Sequence, residues 1–266
     1  MVSEPRGPSM DPAAAPGGPP APGSPPTAGA PDDATPQAVL DAGLQLRAPW
    51  AASLAGILFA LLFTATLLLT RNSPLTGMNS RELALFFAEG RDTWLLIAGL
   101  YLAPFAGIMF LWFVAVVRDQ IGEREDRFFA TVFFGSGLLF VAMLFAAAAV
   151  ATTAVVGYRY LGLDAPTADE MALMRSLAYT LLFAFATRAA AVFLLSLATL
   201  GLKSRAFPRW FALSGYLFGV VLLVVVTFWD WIILLLPAWV GGVSLFVLRR
   251  ERARLRAGRA GRAALG

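Results

Sequence analysis

The chain has 266 residues, 58% of them hydrophobic and 14% charged, with a formal net charge of +4 and neither Cys nor His. Soluble domains carry roughly 25% charged residues, and here the charges lie between long apolar blocks, which excludes an ordinary soluble protein and indicates an integral membrane protein. Without Cys or His there is no disulfide, iron–sulfur cluster, Ser-His-Asp triad, HExxH zinc site or His-ligated haem, so only carboxylate, lysine and hydroxyl chemistry remain.

Residues 1–45 hold 11 of the 17 prolines and no aromatic residue. Such a segment buries too little apolar surface to offset its ordering entropy. It is expected to be a disordered Pro/Ala/Gly-rich cytoplasmic tail, either simply solvated or a docking segment for a proline-binding module. No basic n-region precedes an apolar h-region, so it does not read as a signal peptide. Residues 37–46 predict a short helix leading into the membrane.

A hydrocarbon layer about 30 Å thick takes about 20 helical residues to cross. Residues 46–248 supply six such spans, at about 49–70, 93–117, 128–156, 176–202, 208–228 and 231–248. Pro49 suits the first turn of the first span, and Trp50 suits the interface. Asp92 is the expected N-cap of the second. The block 208–248 is 41 residues long. One helix of that length would overshoot the bilayer, so a turn at Trp229-Asp230-Trp231 splits it, with Asp230 capping the last span.

Two connections are long. In the first, Asn79 and Glu82 form a capping-box pattern before Leu83, Phe86 and Phe87, and Gly90 ends the resulting interfacial helix. In the second, Thr167 and Glu170 form another box that starts the fourth helix before it enters lipid. Tyr158 and Tyr160 are expected at the headgroups. Pro104 and Pro237 predict kinks in the second and sixth spans.

With six spans both termini share one side. That side carries 15 Lys and Arg against 5 on the other, with Arg188 left over. The positive-inside rule then puts both termini in the cytoplasm. Residues 249–266 form a basic cytoplasmic tail. Its Arg249, Arg250, Arg252, Arg254 and Arg256 are candidate contacts for anionic lipid headgroups; nucleic-acid binding is the alternative set aside.

Small residues recur every four positions at Ala52, Gly56, Ala60 and Thr64, and at Gly99, Ala103 and Gly107, with Gly215 and Gly219 in the fifth span. They let backbones approach, either within one bundle or between copies.

Arg188 stands at the middle of the fourth span, where a charge costs about 2.5–3.5 kcal/mol on insertion scales. No Asp or Glu lies at comparable depth. Its candidate partners are the hydroxyls of Thr187, Ser136, Thr152 or Thr153, the ring of Phe185, backbone carbonyls of neighbouring helices, or a bound anion. It is therefore the one candidate anion or lipid contact inside the membrane. The lack of buried carboxylates, and of an evident inverted repeat, argues against proton-coupled transport. Asp119, Glu123, Glu125 and Asp126 could supply paired carboxylates for acid–base work, but a self-paired solvated turn is the simpler reading.

Two stretches carry a resemblance. One is Leu200-Gly201-Leu202, a basic turn, then Pro208-Arg209-Trp210. The other runs from Phe105-Ala106-Gly107 to Arg118-Asp119, followed by Glu123 to Arg127 and Phe128-Phe129. Over roughly residues 50–248 the chain resembles bacterial multi-span integral membrane proteins of unknown function. The resemblance implies a bacterial inner-membrane location and carries over no catalytic residue. The Ala, Arg, Gly and Pro bias matches a high-GC genome.

The expected fold is all-α: a polytopic six-helix transmembrane bundle with a disordered N-terminal tail. The expected role is a non-enzymatic structural or accessory membrane component. A passive permease or anionic-lipid or solute binder using Arg188 is the alternative, and an enzyme using the cytosolic carboxylates is the third reading. The expected partners are the bilayer, anionic phospholipids and either a second copy or another membrane protein. No nucleic acid, cofactor or metal is expected.

Overall fold

The computed structural model describes residues 36–71, 77–121, 127–203, 208–225 and 231–263. Among them every element is helical and none is a strand. The tail expectation for residues 1–35 and the Trp229-Asp230 turn lie outside the described residues.

Helix α1 spans Pro36–Arg71. It starts inside the segment assigned to the tail and absorbs the expected lead-in helix without a break. Pro49 therefore sits in the interior of α1 instead of its first turn. A short helix α2, Ser80–Ala88, follows. Next come α3 (Thr93–Leu96), a π-helical segment (Ile97–Leu102) and α4 (Ala103–Ile121). Helix α5 is Arg127–Leu161. Helix α6, Ala168–Tyr179, runs through a second π segment, Thr180–Ala186, into α7, Thr187–Lys203. Helix α8 is Arg209–Val224. A 3-10 turn, Ile232–Leu234, opens α9, Leu235–Ala263, which carries the basic tail onward as helix.

Among the described residues, five helical segments are long and apolar enough to cross a membrane: Trp50–Thr70, Thr93–Arg118, Phe128–Leu161, Ala168–Lys203 and Ile232–Arg250. Helix α8, at 16 residues, reaches about 24 Å at 1.5 Å per residue, short of the hydrocarbon thickness. The outward faces are apolar too, with Leu61, Trp112 and Leu213 exposed by 63%, 63% and 68%. Such a surface suits lipid and not water.

The prolines act locally. A π turn precedes Pro104, and the Ala103 N–H reaches back five residues to the Ala98 carbonyl. The wider turn makes room for the pyrrolidine ring where a kink was expected. Pro237 lies in the first turn of α9.

Phenylalanines from four helices fill the centre of the bundle. Phe110 of α4 packs on Phe59 of α1 at 4.7 Å between centroids, on Phe140 of α5 at 5.0 Å and on Phe193 of α7 at 4.9 Å. All four rings are fully buried. Rings in such tilted contacts add dispersion and quadrupole attraction that lipid cannot match. The small residues serve the same packing. A Cβ on Gly56 would meet Ser244 of α9, and one on Gly241 would lie 3.1 Å from Ala60. Gly107 faces Val141 and Phe145, Gly215 faces Trp239, and Gly219 faces Leu195. These glycines are used for helix contacts within the chain.

Candidate functional site

The two long connections build a cap over one end of the bundle. Asn79 accepts from the Glu82 N–H at 3.0 Å, while the Glu82 carboxylate accepts from the Asn79 N–H at 2.9 Å. Thr167 and Glu170 make the same reciprocal pair at the start of α6. Gly90, at φ +70°, ends α2 in the left-handed region. These caps fix α2 so that Leu83, Phe86 and Phe87 are buried. They join Leu95, Leu96 and Val155 in a second apolar core. The Ala168 N–H donates to the Ser80 hydroxyl at 3.1 Å, tying the start of α6 to that of α2. Tyr158 is drawn into this cap, 5.3 Å from Phe87, whereas Tyr160 is 69% exposed.

Asp92 does not cap α3 as expected, since its side chain makes no capping hydrogen bond. Arg159 of α5 takes both of its oxygens instead. Nε–H donates to Oδ2 at 2.8 Å and Nη2–H to Oδ1 at 2.5 Å. The same Nη2 also donates to the Gly90 carbonyl and the Thr93 hydroxyl, each at 3.1 Å. Asp92 is fully buried, and a buried carboxylate is tolerable only with such partners. One guanidinium thus clasps the α2–α3 corner to the end of α5.

Between the cap and the phenylalanine core lies a cavity of about 140 Å³. Phe63, Thr66 and Thr70 of α1 form one side, and Met171, Arg175 and Tyr179 of α6 form the other. Ala147, Ala148, Ala151 and Thr152 of α5, with Gly99 of the first π segment, form the back. Phe183 of the second π segment belongs to the floor. The threonine hydroxyls of the lining are already spent: Thr66 donates to Leu62, Thr70 to Thr66 and Thr152 to Ala148, at 2.8, 2.8 and 2.9 Å. Arg175 is the only charged residue of the lining among the described residues. Its guanidinium lies 6.0 Å from the centre of the Tyr179 ring. The lining is largely hydrocarbon, so an apolar occupant is favoured over water.

Arg188 is half-buried and does not line this cavity. Its Nη1 donates to the carbonyls of Phe183 and Ala184, at 2.8 and 3.1 Å. These belong to its own helix, not to a neighbour. The reason is the π segment. The Thr187 N–H bonds five residues back to Leu182, and the return to four-residue spacing passes over the Phe183 carbonyl. Arg188 supplies the missing donor. The other proposed partners are engaged elsewhere: Ser136, Thr152, Thr153 and Thr187 all donate to carbonyls of their own helices. Arg249, Arg250 and Arg252 are exposed on α9. Arg254 and Arg256 continue that helix, and their side chains lie outside the described residues, as do the acidic side chains of the 119–126 turn.

Comparison with protein families, with curated proteins and with solved structures gives no match.

Proposed function

We propose that this chain is a bacterial inner-membrane protein of six spans, with both termini cytoplasmic, that serves as a non-enzymatic structural or accessory component. The observation that carries the reading is the filled interior. The rings of Phe59, Phe110, Phe140 and Phe193 meet at the centre of the bundle, where a permease needs a hydrated path. The guanidinium that could have lined such a path is turned onto Phe183 and Ala184. Support for the sixth span comes from α8 together with the apolar residues that follow it, and from the 15 to 5 distribution of basic residues. The bacterial assignment rests on the sequence resemblance and the compositional bias. The exposed arginines of α9 fit a contact with anionic headgroups on the cytoplasmic face. Small-residue faces occupied within the chain leave a partner to bind elsewhere on the lipid-facing surface.

A flux assay separates this reading from the permease. Proteoliposomes loaded with glycerol, chloride or phosphate should leak no faster than protein-free vesicles. Selective flux that Arg188→Met abolishes would replace the accessory role with a conductive one.

A further inference from the structure

We propose that the cavity beneath the cap is a binding site for one anionic phospholipid, with an acyl chain inside and the phosphate held at the mouth by Arg175. The proposal does not depend on the accessory role, because lipid retention and solute flux are separate readouts.

The shape comes first. Helices α1 and α6 flank the cavity, and they are not a packed pair; α1 packs on α4 and α9, and α6 packs on α5. The space between them is thus a cleft in the wall of the bundle, not a void sealed by helix contacts. Its back is made by Ala147, Ala148 and Ala151, whose side chains are too short to close it. At about 140 Å³ it is comparable to apolar cavities that hold a six-carbon ring. It therefore accommodates a segment of acyl chain, and the rest of the lipid lies along the outer wall.

Chemistry decides the class of ligand. With the hydroxyls of Thr66, Thr70 and Thr152 donated to backbone carbonyls, the α1 and α5 walls offer no polar donor to encircle a sugar or an inorganic ion, and the other donors of the lining, Arg175 and Tyr179, both stand on α6. An alkyl chain needs none. The lining's single charge, Arg175, sits one turn below the cap residue Met171 and one turn above Tyr179. It stands just before residue 176, where the sequence pattern starts the fourth span. A planar guanidinium at that level matches a phosphate diester, with Tyr179 beneath it as a backing ring. The arrangement of charge above and hydrocarbon below is that of the lipid itself.

The test is native mass spectrometry of the full chain released from nanodiscs containing equal phosphatidylglycerol and phosphatidylcholine. The unmodified chain should retain one phosphatidylglycerol. Arg175→Met should lower that retention about tenfold, as expected for one charge-assisted contact. Arg175→Lys, which keeps the charge, should lose no more than about threefold. Ala151→Leu, which fills the cavity, should expel the lipid while raising the melting temperature. Arg91→Met removes a charge from the same end of the protein, outside the cavity, and should change nothing. Retention that survives Arg175→Met or Ala151→Leu would overturn the proposal. So would equal retention of phosphatidylcholine, or capture of a free fatty acid in place of the phospholipid.

Discussion

Arg159 and Asp92 stand 67 positions apart in the chain, yet two N–H groups of the arginine grip both oxygens of the aspartate, at 2.8 and 2.5 Å. The pair is asymmetric. Asp92 is fully buried, while 30% of the Arg159 side chain remains exposed. Removing the arginine strands a buried carboxylate, whereas removing the carboxylate frees an arginine that can turn to water. Arg159→Met should therefore lower the melting temperature in detergent by roughly 5–10 °C, and Asp92→Asn by clearly less. The double variant Asp92→Leu with Arg159→Met should lose less than the sum of its parts. Equal losses for the two single changes, with strict additivity, would show that the clasp does not couple the cap to α5.

Gly99 gives a sharper steric test. A Cβ there would clash with Cγ2 of Thr152. That methyl cannot swing away freely, because the Thr152 hydroxyl is bonded to Ala148 at 2.9 Å and β-branched rotamers are stiff in a helix. Gly99→Ala should cost about 1–3 kcal/mol by overpacking. Thr152→Ser removes the methyl and keeps the hydroxyl, so it should restore most of the loss in the double variant. Melting curves of the three proteins decide the matter; a Gly99→Ala protein as stable as the parent would mean that the π segment yields instead.

Topology is open to cysteine labelling, since the chain has no Cys of its own. In intact cells a membrane-impermeant maleimide should label Asp164→Cys, on the exposed cap. It should leave Ser3→Cys and Ala264→Cys unlabelled until the cells are lysed. Labelling of either terminus before lysis would reject the six-span arrangement with both ends inside.

The features that were readable in the sequence are those written over a few consecutive residues. Asn79 with Glu82, Thr167 with Glu170 and the left-handed Gly90 are of this kind, as is the Leu83, Phe86, Phe87 face of α2. Asp92 looked like another local cap because its true partner is 67 positions away. The π segments were invisible, since one extra residue in a turn leaves no mark on an all-apolar stretch that has no polar face to shift. The cost of Arg188 in lipid is legible in the sequence, but its candidate partners there are side chains, a bound anion and the backbones of neighbouring helices. Only the π turn makes its own carbonyls available. The cavity has no sequence signature either. It arises where α1, α5 and α6 meet around two π turns, and in the sequence Arg175 is one more basic residue beside an apolar span.

Arg188 itself offers the most discriminating substitution. Two opposing effects meet there. Arg188→Met takes away the donor to Phe183, leaving a carbonyl unpaired at a cost of about 1–3 kcal/mol. It also removes a charge whose presence at mid-span costs about 2.5–3.5 kcal/mol on insertion scales. The two nearly cancel, so the melting temperature should move by no more than about 3 °C in either direction. Arg188→Lys keeps both the charge and donors able to reach a carbonyl, and should also stay close to the parent. Since Arg188 lies outside the cavity lining, neither change should alter retention of phosphatidylglycerol, in contrast with Arg175→Met. The measurement is a melting curve and a native mass spectrum for each variant. Loss of lipid from the Arg188→Met protein at an unaltered melting temperature would make Arg188 a ligand contact, and its bonds to Phe183 and Ala184 a resting position that the ligand displaces.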